Sequence, residues 1–317
     1  MEHHELDRRG FVKAAALTTA SAALAPWAQA AELYGKMPMR VLGRTGLKVS
    51  SIGIGGYHAG MPKYAEKDSI ALLHRAIDLG INFFDNADCY SNGVAEERMG
   101  KALEGQRKEV YLMTKVDQRD AAGSLKTLET SLRRLRTDYL DVWQFHSVIN
   151  LQELDRILGP GGALETAEKA RKDGKIRFIG LTGHADPQVL LAALKRYPFD
   201  TIQMPINVLD PHFKSFRKTV VDEAVQRDTG VIAMKTLIFG RLLSFKVATA
   251  AEALRWVWSQ PVSVLVSGCE NLEQLDYNVY LAKTFKPMSE AEQTALLART
   301  EPHKGTTIEV YKQLPGS

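Results

Sequence analysis

From Ser51 onward, short runs rich in β-branched and aromatic residues alternate with stretches whose apolar side chains recur every three or four positions. Eight such runs begin near Ser51 (SIGIGG), Ile81 (INFFDN), Val110 (VYLMTK), Tyr139 (YLDVWQFH), Ile176 (IRFIGLTG), Thr201 (TIQMPIN), Val231 (VIAMK) and Val262 (VSVLVSG). Their starts fall 25 to 37 residues apart, the length of a strand followed by a crossover helix. Near-continuous apolar strands at that period predict a parallel sheet buried on both faces. Between them, Leu125, Leu128, Leu132 and Leu135 fall on one helical face, as do Ile70, Leu73 and Ile77, with Gly80 placed to end the second helix. Gly159-Pro160-Gly161-Gly162 should split the fourth crossover into two helices. Ahead of the first strand, MRVL and LKVS flank GRTG and read as a small hairpin able to plug the bottom of a barrel. Eight strand–helix units predict an α/β protein, a (β/α)8 TIM barrel with a short N-terminal hairpin. A doubly wound open sheet is the runner-up, weakened because no GxGxxG follows any strand.

Composition narrows the class further. With 45% hydrophobic and 25% charged residues, the 317-residue chain is of ordinary globular make-up, and a net charge of +4 gives no reason to expect a nucleic-acid partner. No apolar run is long enough to span a membrane. Cys89 and Cys269 cannot form a CxxC metal or redox site, and no HxH or HExxH spacing occurs, so neither a metal nor an iron–sulfur cluster is expected.

Residues 1–30 read differently from the rest. DRRGFVK (7–13) precedes the uncharged AAALTTASAALA (14–25), then Pro26, Trp27 and the small-x-small Ala28-Gln29-Ala30. That order resembles a bacterial twin-arginine export signal, although its first position, usually Ser or Thr, is Asp7. The resemblance implies cleavage before Ala31, export in the folded state through the twin-arginine machinery, and a periplasmic location. The expected organisation is therefore a signal peptide at 1–30 and a single barrel domain at 31–317, with no second domain. The expected assembly is a monomer.

A barrel enzyme works at the C-terminal ends of its strands, and polar residues gather there. Asp85 ends the second strand with Tyr90 five residues on, and Lys115 ends the third. His146 ends the fourth, Thr182 and His184 the fifth, Gln203 and Asn207 the sixth, Lys235 the seventh, and Ser267-Gly268 the eighth. Singly, each has a plainer role, since a strand-terminal Asp caps a helix and a Lys extends into solvent. Together they suit proton transfer. A tyrosine with its ordinary pKa near 10 is a poor acid unless a cation lies beside it. Lys115 can supply that cation, Asp85 can orient it, and His146 can donate or accept where a substrate oxygen would sit.

These segments resemble the aldo-keto reductase superfamily across essentially the whole chain after the leader. GRTGLKVSSIGIGG resembles the family's opening hairpin and first strand, and FFDNADCYSNGVAEERMGKAL its Asp-x-Ala-x-x-Tyr stretch. LRRLRTDYLDVWQFH and GKIRFIG resemble the segments leading into strands 4 and 5. The resemblance implies a catalytic set of Asp85, Tyr90, Lys115 and His146, with NADP(H) or NAD(H) as cofactor and a small carbonyl or alcohol as substrate. Cofactor contacts are implied at Gly56, Thr182, Gln203 and Asn207. AMKTLIFGRL, which contains Met234, Lys235, Thr236, Leu237 and Gly240, resembles the loop that folds over the pyrophosphate. SGCENLEQLDYN, which contains Ser267, Gly268, Glu270, Gln274 and Asn278, resembles the adenosine loop.

The departures are specific. Thr182-Gly183 stands where the family has Ser-Asn, and Met234 where many members stack an aromatic ring under the nicotinamide. Glu270 replaces the basic residue common in NADP-selective members. Tyr57 and Trp143 are expected to line the substrate pocket. A nucleotide-binding sensor with little turnover is the alternative function, and the intact catalytic four favour an enzyme.

Overall fold

The computed structural model describes residues 34–313, and the leader at 1–30 lies outside them. Strand β1 (Met39–Val41) pairs antiparallel with β2 (Lys48–Ser50), Met39 opposite Ser50. The turn between them needs a glycine at 43. Its φ is +48°, and a Cβ there would run into the backbone of Gly230 and Asp228.

Eight parallel strands follow: β3 (Ile52–Gly55), β4 (Phe83–Asp85), β5 (Tyr111–Val116), β6 (Leu140–Phe145), β7 (Ile176–Thr182), β8 (Thr201–Pro205), β9 (Gly230–Met234) and β10 (Val264–Ser267). The ring closes where β10 pairs with β3, Val266 opposite Gly53, so the open doubly wound sheet is excluded. All eight strands lie where the apolar runs predict them.

Helices α1 (Glu66–Asp78), α2 (Val94–Ala102) and α3 (Ala121–Arg134) fill the first three crossovers of the barrel. The fourth holds α4 (Leu151–Leu158) and α5 (Ala163–Lys172), divided at the Gly-Pro-Gly-Gly segment as expected. Next come α6 (Pro187–Arg196) and α7 (Asp222–Gln226), then α8 (Arg241–Ser244) with α9 (Ala250–Trp258). After β10 the chain adds α10 (Leu272–Lys283) and α11 (Glu290–Thr300).

Alternation along the strands sorts the core into two layers. Phe83, Met113, Val142, Ile232 and Val264 point into the barrel, where Leu42, Leu47 and Val49 of the hairpin meet them and stopper the bottom. Phe84, Leu112, Trp143, Ile179 and Ile202 point outward, under the helices. Two helical faces differ from expectation in part. In α3 Leu128, Leu132 and the capping Leu135 are buried as expected, with Ser124 and Ser131 beside them, and Leu125 is 41% exposed. In α1 Leu72, Leu73 and Ala76 are buried, while Ile70 and Ile77 are only partly so. Gly80 ends α1 as its sequence suggests, with φ +91° and its N–H on Ile77 O at 2.8 Å.

The C-terminal tail is pinned by charge. The Lys312 ammonium is fully buried, 3.0 Å from both Asp210 and Glu309.

Candidate active site

A cavity of about 1230 Å³ opens at the C-terminal ends of the strands. Asp85, Tyr90 and His146 line one part of it with Tyr57, His58 and His184, and the loops after β9 and β10 line most of the rest. Strand geometry explains the first group: Asp85 and Lys115 end on inward positions of neighbouring strands, and a short turn carries Tyr90 back over them.

Lys115 is 1% exposed. Its ammonium donates to the Asp85 carboxylate and to Asn86 O at 2.6 Å, and lies 3.4 Å from the Tyr90 hydroxyl. The second oxygen of Asp85 accepts from Gln203 Nε2 at 2.7 Å. Burial pulls the lysine pKa down, but the Asp85 and Tyr90 oxygens outweigh it, and Lys115 stands above its ordinary value as a firm cation. Burial pushes the Tyr90 phenol up while the lysine charge pulls it down, and the net direction is up. Tyr90 therefore holds its proton at neutral pH; the net acidification expected from Lys115 alone is overridden by burial.

His146 faces the same space, its ring edge-on to Tyr90 with centroids 5.9 Å apart. Its Nδ1 lies 2.8 Å from Asp117 Oδ1 and 3.6 Å from Cys89 Sγ. Burial lowers its pKa more than the Asp117 contact raises it, so the ring is neutral at pH 7. A neutral ring donating from Nδ1 to a carboxylate leaves Nε2 as a bare acceptor. Sequence reasoning passed over Asp117, which stands just past the end of β5 and matters through its distance to His146.

The expected cofactor residues divide into two groups. Met234, Lys235, Thr236, Leu237, Gly240, Ser267, Gly268, Glu270, Gln274 and Asn278 all line the cavity. Gly268 leaves room for the ring of His58, which a Cβ would strike, and Lys63 pairs with Glu270 at 2.9 Å. These contacts tie the loop after β3 to the loop after β10. Gly56, Thr182, Gln203 and Asn207 instead stand behind the wall. Gly56 packs against the Asn86 side chain, Gly55 forming the surface. The Thr182 hydroxyl accepts from Ser147 N at 2.7 Å. Asn207 accepts from the N–H groups of Leu209 and Asp210 and donates to the Tyr311 hydroxyl at 2.7 Å.

Tyr57 lines the cavity, but Trp143 does not. Trp143 is 1% exposed and packs beside Phe145 in the outer layer, because β6 alternates and Val142 and Gln144 take the inward positions. Its expected pocket role is corrected accordingly.

Lys235 is a half-buried cation on the cavity wall. It has φ +55°, and its ammonium sits over the Phe239 ring at 4.6 Å; among the described residues no carboxylate pairs with it. Burial first, and the like charge of Lys115 second, pull its pKa down to about 8. His184 also lines the space and is held neutral by burial.

A closed parallel barrel with a lysine-supported tyrosine at its mouth defines a class of barrel enzymes that move protons to and from oxygen. The chain belongs to the aldo/keto reductase family, whose profile matches residues 51–251, and is an oxidoreductase. It is 32% identical over 221 residues to the L-galactose dehydrogenase of Arabidopsis thaliana, covering 65% of this chain and 67% of that one. Over 308 residues, 84% of this chain and 97% of the other, it is 26% identical to the uncharacterized oxidoreductase YqkF of Bacillus subtilis (strain 168). In fold it resembles an aldo/keto reductase of Klebsiella pneumoniae, solved in complex with NADP and acetate. The TM-score is 0.67 at 24% identity, covering 84% of this chain and 96% of that one.

Proposed function

We propose that the barrel interconverts an aldehyde, ketone or sugar carbonyl with its alcohol, using NADP(H) or NAD(H), with Tyr90 as general acid and base. The observation that carries this reading is the Tyr90 hydroxyl 3.4 Å from a buried lysine that Asp85 and Gln203 hold in place, at the edge of a large cavity. The cavity fits a dinucleotide in volume, exceeding the range of about 300–1,000 Å³ usual for small ligands. It also offers a phosphate a partner, since Lys235 lies there with no carboxylate paired to it among the described residues. Met234, Lys235 and Thr236 would hold the middle of such a ligand, and Ser267, Gln274 and Asn278 its adenosine end. The nicotinamide supplies or accepts a hydride when bound.

The protein's own part is proton handling. The Tyr90 O–H donates to the substrate oxygen during reduction, and the phenolate left behind is stabilised by the Lys115 ammonium. In the reverse direction that phenolate takes the proton of an alcohol. The Asp85 carboxylate keeps the lysine charged and aimed, and Gln203 keeps the carboxylate from turning. We also propose that DRRGFVK directs the folded monomer through the twin-arginine route to the periplasm.

The test is aldehyde-dependent loss of the reduced-nicotinamide absorbance by wild type and Tyr90→Phe. General acid–base groups contribute about 10²–10⁴-fold, so the variant should lose that much turnover with an unchanged circular-dichroism spectrum. Near-wild-type turnover in Tyr90→Phe would remove Tyr90 from the mechanism.

A further inference from the structure

We propose that Asp88, Cys89, Asp117 and His146 form a site for one divalent transition-metal ion, zinc above all, on the side of the imidazole that faces away from the cavity. One donor atom from each of the four lies within 4.8 Å of the other three. His146 Nδ1 is 2.8 Å from Asp117 Oδ1 and 3.6 Å from Cys89 Sγ. Tetrahedral zinc, with bonds of about 2.0 Å to nitrogen or oxygen and about 2.3 Å to sulfur, spaces its donors by roughly 3.3–3.8 Å. The four groups are thus within small side-chain adjustments of a coordination shell.

The donor types favour the same ion. Imidazole and thiolate select zinc and its neighbours, whereas magnesium and calcium prefer all-oxygen sites. With the thiol ionised the cluster carries three negative charges, and among the described residues no lysine or arginine forms an ion pair with Asp88 or Asp117. Asp88 Oδ1 is buried with no hydrogen-bond partner. Cys89 and Asp117 are exposed, so an ion can enter from solvent. The ligands come from the ends of three adjacent strands, β4, β5 and β6, which is why no local spacing in the sequence announces them.

Binding would change what His146 offers the cavity. Without the ion, Nδ1–H donates to Asp117 and Nε2 presents a lone pair. With the ion on Nδ1, that proton moves to Nε2, which becomes a donor, and the thiol proton of Cys89 is released to solvent together with any proton that Asp88 carries. A carbonyl oxygen needs a donor, so the loaded form should hold it better. This second step rests on the carbonyl reading of the site; the binding itself does not.

The experiment titrates the metal-free full-length protein with Co²⁺. One equivalent should bind with a thiolate-to-cobalt charge-transfer band in the near ultraviolet, a sulfur signature that the His3-His4 pair near the N-terminus cannot give. Cys89→Ser should abolish the band, and both Cys89→Ser and Asp117→Asn should weaken binding about tenfold or more. No sulfur band, or equal affinity in wild type and both variants, overturns the site. Zinc should then lower KM for an aldehyde about 2- to 10-fold in wild type and not in Cys89→Ser. Zinc that binds wild type and leaves KM unchanged overturns the His146 switch.

Discussion

Gln203 donates to Asp85 across 2.7 Å, on the carboxylate oxygen that Lys115 does not hold. Resemblance alone assigns this amide to the cofactor, while its hydrogen bond assigns it to the lysine's counter-ion. The two assignments part in a variant. Gln203→Leu should lower kcat about 10- to 100-fold, because it leaves a buried charged acceptor without its donor. Nucleotide affinity should stay within about twofold, as Gln203 lies behind the cavity wall. Fluorescence titration alongside turnover separates these outcomes, and a large loss of affinity at unchanged kcat would restore the cofactor role.

Lys235 gives nucleotide binding a pH dependence. Its ammonium, drawn down to about 8 by burial, loses its proton as the pH rises through that value. A bound phosphate would hold it charged, so binding takes up a proton above pH 8 and affinity should fall by up to tenfold per unit there. Below pH 7 the affinity should be flat. Lys235→Met should bind weakly at every pH, with the break at pH 8 gone.

Glu270 and Lys63 lie together at the rim, where the proposed nucleotide would place its adenosine. A carboxylate there can accept from a ribose 2′-hydroxyl but repels a 2′-phosphate. Glu270→Arg should shift the preference toward NADPH, both by adding a fork that pairs with phosphate and by releasing Lys63. The ratio of dissociation constants for NADH and NADPH measures it, and an unchanged ratio counts against the assignment.

Arg8→Lys with Arg9→Lys should leave uncleaved precursor in the cytoplasm, if paired arginines are the address. Immunoblots of cell fractions read the outcome directly; export and trimming of the double variant would end the idea. An enzyme exported folded can carry nucleotide with it. Protein purified from the wild-type exported fraction should therefore release nucleotide detectable by mass spectrometry, and an empty protein would oppose that view.

The sequence was most readable where one physical rule acted alone. Strand positions followed from unbroken apolar runs, and the split of the fourth crossover followed from Gly159 to Gly162. Where two neighbours compete for a face, the pattern misled. Trp143 is as aromatic as a pocket residue, but Val142 and Gln144 hold the inward positions of its strand. Asn207 sits at a strand end like a cofactor ligand, yet its amide is engaged by Tyr311, more than a hundred residues later. Asp117 and Cys89 escaped notice because their importance lies in a distance to His146, and no local pattern encodes that.

Leu42, Leu47 and Val49, capping the packed interior, leave the barrel shaped as a cup. A cup has one rim, and everything that enters must leave by the same way. A long nucleotide lodged along the loops after β9 and β10 would lie beneath whatever carbonyl came to rest beside Tyr57 and Tyr90. On the proposed reading an order of traffic would follow from that shape: the nucleotide would arrive first and depart last, and an early carbonyl, seated across the mouth, would obstruct the turnover it is meant to feed.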